Sequence, residues 1–160
     1  MKKSCKGFSL IELLIVVAII LMIAAIAIPN LLRSRMAANQ ASAVGSLRTL
    51  NTAEIAYSFT YNVGFTRTLG YLAPPAAGAN PTSTAAGIID SILSAGSKSG
   101  YSFTYSPGAI DSTGRTNTYA ITAVPITSST GTNYYFTDQS IVIRQNSTTT
   151  AASTDSPIGG

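Results

Sequence analysis

The sequence predicts an α+β protein. A long N-terminal helix spans a membrane with its first half and packs its amphipathic second half on a small antiparallel sheet of about three to four strands. Three observations carry this. Residues 7–28, GFSLIELLIVVAIILMIAAIAI, form an apolar run with one charge, Glu12, long enough to cross a bilayer as a helix. Residues 30–61 contain no proline and one glycine, Gly45, and keep helical spacing of apolar residues on one side. Beyond residue 62, short apolar segments alternate with Gly-, Pro-, Ser- and Thr-rich stretches, the pattern of sequential strands joined by short turns.

Composition narrows the chemistry. At 160 residues the chain has room for the helix and one modest domain. The net charge is +4, but Lys2, Lys3 and Lys6 lie ahead of the apolar run, and removing those three leaves +1. The remaining cations are scattered apart from the Arg33/Arg35 pair, so no nucleic-acid partner is indicated. There is no His, and the one Cys is Cys5. A His/Cys metal site, a Ser-His or Cys-His nucleophile and an intrachain disulfide are all excluded. No catalytic residue, cofactor or metal site is expected, and the chain reads as a non-enzyme.

Three explanations compete for residues 1–28. A removable secretory signal has the basic start, the apolar stretch and an A-x-A pattern at Ala25-Ile26-Ala27. Glu12 interrupts that stretch, which is also longer than such signals are. A plain anchor would hold Glu12 near one end of the helix, about 6 Å along the axis from Phe8, where snorkelling tolerates a charge. A short basic leader cut at Gly7 would leave a retained helix whose carboxylate meets a partner charge.

The run Gly7-Phe8-Ser9-Leu10-Ile11-Glu12, continued by the apolar helix to Ile28 and by Pro29, closely resembles the N-terminus of type IV prepilins and related pseudopilins. The resemblance covers about the first third of the chain. It implies cleavage between Gly7 and Phe8 by a membrane-embedded prepilin peptidase, and N-methylation of the new Phe8 amine by the same enzyme. Lys2, Lys3, Cys5 and Lys6 would leave with the leader. Glu12 would then pair, one helical turn along, with the Phe8 amine of a neighbouring subunit. An unpaired charge in low dielectric is heavily penalised, so pairing would set register as well as affinity. The implied partners are further copies of the chain, the peptidase, a membrane assembly platform with its motor, and lipid before assembly.

The leader lysines place the N-terminus on the cytoplasmic side and the C-terminal domain outside the cytoplasmic membrane. Pro29 removes one backbone hydrogen bond and is expected to kink or loosen the helix. A helix from Phe8 to Tyr61 would run about 80 Å, too long for a small globule, so the membrane half would project, giving a lollipop. Ala37, Ala38, Ala41, Ala43 and Gly45 either permit close helix approach or, Gly45 apart, serve as good helix formers.

In the outer domain, Pro74-Pro75, Gly78 and Pro81 mark a loop. Residues 86–95 read as a short helix ended by Gly96. Strands are expected at 101–105, 118–124, 133–136 and 140–144, with Gly131 in a hairpin loop. The tail from Asn146 is rich in Thr, Ser and Ala and reads as loose, or as an extension of the last strand. The eight tyrosines read as core and rim. Asp90, Asp111 and Asp138 lack the spacing of a calcium loop.

The expected parts are a cleaved leader (1–7), a transmembrane and filament-core helix (8–28), an amphipathic helix entering the globular domain (29–61) and an αβ loop with antiparallel sheet and loose tail (62–160). The implied function is that of a pilin, the structural subunit of a type IV pilus-like filament serving adhesion, motility or DNA uptake. The alternative is a pseudopilin of a type II secretion system. The end of the chain lacks the acidic calcium-binding region usual in major pseudopilins. It also lacks the cysteines with which many pilins close their last loop.

Overall fold

The computed structural model describes residues 8–158. Two compact units meet in sequence between Arg35 and Met36. One helix, α1 (Leu10–Tyr61), supplies the first and opens the second.

In the first unit, every described residue is exposed except the partly covered Ala24. Leu10, Ile11, Leu13, Leu14 and their successors present apolar surface all round. A helix that is apolar on every side has no core of its own to face and belongs in lipid or against other helices. Pro29 lies inside α1, and the helix continues through it.

In the second unit, α1 turns amphipathic. Ala43, Leu47, Leu50, Ala53 and Tyr57 form one buried stripe at spacings of three and four. They cover a five-stranded antiparallel sheet of order β1-β2-β3-β4-β5. Its strands are β1 (Ser97–Lys98), β2 (Tyr101–Pro107), β3 (Tyr119–Pro125), β4 (Tyr134–Asp138) and β5 (Arg144–Asn146). Strict alternation turns Tyr101 and Phe103 of β2, Tyr119, Ile121 and Ala123 of β3, and Tyr135 and Thr137 of β4 toward the helix. Burying Leu47, Leu50 and Ile121 contributes about 1.5–3 kcal/mol each. Leu69, Leu72, Ile89 and Leu93 close the flank.

The sheet has one strand more than the three to four expected. The extra one, β1, is two residues long and pairs with Tyr101 and Ser102 around Ser99-Gly100. Both turn residues have positive φ (51° and 75°), the conformation of a tight hairpin turn. No periodic pattern can announce so short a strand. The helix expected at 86–95 shrinks to α2 (Ser91–Ser94). Residues 86–89 are instead drawn into backbone hydrogen bonds with Tyr71, Leu72 and Ala73. Asp90 caps α2 by accepting from the Leu93 amide at 2.8 Å, and Gly96, at φ 77°, follows its C-cap.

The last strand falls at 144–146, not 140–144. Ile141 sits at φ 66° in a turn whose amide donates to the Asp138 carbonyl, so the Ile141/Ile143 alternation is that of a turn leading into a strand. As far as residue 158 the tail is held, not loose. Gln145 and Ile158 amides donate to the Ser156 and Ile143 carbonyls, which lays residues 156–158 along β5. The Asp155 carboxylate accepts from the Asn146 amide group at 3.0 Å and from the Ala152 N–H at 2.7 Å. Arg144 donates to the Asp155 carbonyl at 2.8 Å. A polar clasp thus closes the loop between residues 146 and 155 and covers a sheet edge that would otherwise stand open.

The tyrosines do pack. Tyr57, Tyr101, Tyr119 and Tyr135 are buried, and the Tyr105 and Tyr119 rings stack at 6.0 Å. Tyr101 donates to the Asn133 carbonyl at 2.9 Å, and burial pushes its phenol up to about 12.

Candidate functional site

The first turn of α1 holds the one carboxylate of the apolar unit. Ser9 precedes the helix, and Glu12 stands three residues on. The Glu12 carboxylate reaches back to accept from the Ser9 N–H at 2.9 Å. This is half of a capping box, in which a glutamate at the third helical position satisfies a free N–H at the helix start. Negative charge there is also favoured by the helix dipole. The S-x-x-E spacing of residues 9–12 is the sequence signal of this arrangement.

The cap leaves Glu12 able to do more. Only Oε2 is engaged, and Oε1 makes no hydrogen bond among the described residues. Phe8 is 76% exposed beside it. The helix start thus fixes the orientation of this carboxylate. Gly7, the expected cleavage residue, lies outside the described residues, as do Lys2, Lys3, Cys5 and Lys6. Pro29 marks the other end of the run.

Among the small residues of α1, Ala43 is buried against the sheet, while Ala37, Ala38 and Ala41 are exposed. A Cβ added to Gly45 would meet nothing within 4 Å, so nothing within this chain requires a glycine there.

The outer-domain carboxylates do not converge. Asp90 pairs with Lys98 at 2.9 Å, which with the Leu93 amide holds it below its ordinary range. Asp111 accepts from the Thr113 hydroxyl and from the amides of Thr113 and Arg115, which also hold it low. Asp138 caps a turn through the Ser140 amide. Each organises its own loop, and among the described residues no cluster is placed to hold a metal.

Two buried polar groups carry no motif in the sequence. Asn51 donates to the Thr137 hydroxyl at 2.8 Å and accepts from the Tyr119 hydroxyl at 3.0 Å, tying α1 to β3 and β4. Glu54 is fully buried. Burial raises its pKa, against hydrogen bonds from Thr66 that lower it. A carboxylate on a helix face among apolar neighbours is the one local sign of such a site.

Comparison with known proteins bears on the first of these features. The family model of the prokaryotic N-terminal methylation motif matches residues 2–28. A type IV wide pilus major component, PilA4 of Thermus thermophilus, is 62% identical over 37 residues, covering 23% of this chain and 28% of that protein. The type IV major pilin protein PilA of Myxococcus xanthus is 51% identical over 49 residues, covering 31% of this chain and 22% of that protein. The matches thus span about a quarter of the length of these curated relatives. No solved structure matches the chain.

Proposed function

We propose that this chain, whose N-terminal segment matches the prokaryotic N-terminal methylation motif and is similar to those of two type IV pilus components, is the structural subunit of a type IV pilus-like filament. The supporting observation is Glu12: one carboxylate, held in place and half free, at the start of a helix whose apolar surface is exposed on every side.

In this reading the chain waits in the cytoplasmic membrane with its N-terminus inside and its C-terminal domain outside. Hydrolysis of the Gly7–Phe8 peptide bond frees a new amine on Phe8, which a methyl donor then methylates. The amine remains cationic. In the apolar surroundings of packed helices, it offers the partner that the free oxygen of Glu12 lacks. At an effective dielectric of about 20, such a pair at 4 Å gains about 4 kcal/mol of Coulomb energy. Leaving either charge unpaired between apolar helices is strongly unfavourable, so the pair selects one stagger between neighbours. The exposed apolar surface from Leu10 to Ile28 then bundles into a filament core. The chain acts by assembly, not catalysis.

Both curated relatives are named as pilus components, which supports an external filament over a secretion pseudopilus. The test is Glu12→Ala together with Glu12→Gln in cells that process the wild-type chain. Leader cleavage should persist in both, and sheared surface filaments should be lost in both. Normal filaments from either variant would remove the charge-pairing account.

A further inference from the structure

We infer that Arg33 and Arg35 form a binding site for lipid phosphate, a collar that sets the depth of the helix in the outer leaflet before assembly. This rests on the reading of residues 8–28 as a membrane span.

Apolar surface does not stop at Pro29. Leu31 and Leu32 are 54% and 50% exposed, and Arg33 follows at once. From Leu10 to Leu32 the helix rises about 33 Å at 1.5 Å per residue. That covers a hydrocarbon layer of about 30 Å with modest tilt. The Arg33 backbone therefore stands just past the hydrocarbon boundary.

Side chains on a helix lean toward its N-terminus. The membrane half is N-terminal, so both arginines lean back toward the bilayer. A long side chain leaning this way lays its methylenes along the apolar rod and sets its guanidinium among the headgroups. At about 100° per residue, Arg33 and Arg35 lie about 200° apart around the axis. On a soluble helix such a pair would be split between faces. On a helix surrounded by lipid, it places a cation on each side at nearly one depth.

Among the described residues, no carboxylate forms an ion pair with either arginine. No acid occurs between Glu12 and Glu54, so neither arginine has an acidic neighbour at helical spacing. The ion pair found among the described residues joins Lys98 to Asp90. Both arginines are exposed. The guanidinium fork matches phosphate oxygens, and each fork takes two at once. The ligand is thus a phosphodiester headgroup, and releasing it is part of what extraction into a filament must overcome.

The test uses the full chain reconstituted in phosphatidylethanolamine/phosphatidylglycerol vesicles, with carbon-13-labelled guanidinium groups. Solid-state NMR reads the dephasing of those carbons by lipid phosphorus. An alkaline carbonate wash of the same vesicles reads insertion. The wild type should survive the wash and dephase strongly. The double variant Arg33→Gln/Arg35→Gln should survive the wash and lose most of the dephasing, and Arg33→Lys/Arg35→Lys should survive it too. Phosphate-free glycolipid vesicles with added inorganic phosphate should give none. Undiminished dephasing in the Gln variant, or equal dephasing by free phosphate, overturns the site while the membrane reading stands. A wild-type chain stripped by carbonate overturns both.

Discussion

Glu54 accepts two hydrogen bonds from Thr66, one from its backbone N–H at 2.9 Å and one from its hydroxyl at 2.5 Å, with no surface exposed to solvent. The Thr66 carbonyl in turn accepts from the Tyr105 hydroxyl at 2.8 Å. One buried carboxylate therefore fastens the segment after α1 to the helix and, through Thr66, to β2.

Burial raises the Glu54 pKa above its ordinary value. A raised carboxyl favours the protonated folded form. Its stabilising contribution is full below the unfolded pKa and is lost as pH rises through the folded one. Asp90 and Asp111 are held low and act in the opposite sense, losing stability as pH falls. The difference between wild type and Glu54→Gln isolates the buried group. Urea unfolding across acidic to neutral pH should show the Gln variant gaining on wild type as pH rises, with the gap widest at neutral pH. Parallel profiles would mean that Glu54 does not titrate on folding.

The Asn51 network makes a second prediction. Thr137→Val keeps the shape but leaves the buried Asn51 amide without its 2.8 Å partner. An orphaned buried donor costs about 1–3 kcal/mol. Tyr119→Phe removes one hydroxyl bond and should cost about 1 kcal/mol. The two losses should fall short of their sum in the double variant, because both act through Asn51. Strict additivity in denaturant melts would contradict a shared network.

Asp155 offers a third. Asp155→Ala removes both carboxylate bonds that close the 146–155 loop. Amide exchange over residues 152–158 should quicken sharply while β2 and β3 keep their protection. Equal loss of protection in the central strands would show that the clasp supports the whole domain.

Two glycines should respond in opposite directions. Gly131 stands against the ring and hydroxyl of the buried Tyr101, so Gly131→Ala forces repacking and should cost about 1–3 kcal/mol. Gly45 faces open space on α1, so Gly45→Ala should stabilise the subunit by about 0.5–1 kcal/mol. Filament yield then separates the two readings of the small residues. Unchanged yield makes them helix formers. A fall in yield, with the subunit itself more stable, makes Gly45 a point of close approach between copies.

Much of the fold was legible because it rests on local periodicity. The unbroken apolar run, the amphipathic stripe through Leu47 and Leu50, and the alternation at Tyr101–Tyr105 each declare an element within a dozen residues. Expectation and structure part where local pattern and tertiary demand differ. Residues 86–89 have a helical apolar spacing, yet they pair with the backbone of 71–73. Ile141 and Ile143 alternate like a strand, yet Ile141 turns a corner at positive φ. At the N-terminus, Glu12 is legible as an unusual charge, and its capping bond to Ser9 is legible in the S-x-x-E spacing.

By itself the sequence determined the α+β class, the apolar rod with its single acid, and the absence of His or Cys chemistry beyond Cys5. These follow from composition and from the 3.6- and 2-residue periods that backbone geometry imposes. Only the tertiary structure decided that Asn51 meets Thr137 across 86 positions, that Glu54 closes on Thr66, and that Asp155 closes the loop between residues 146 and 155. Such contacts join residues that are distant or aperiodic in the chain. They exist because burial leaves each polar group to find a partner in whatever segment packs against it.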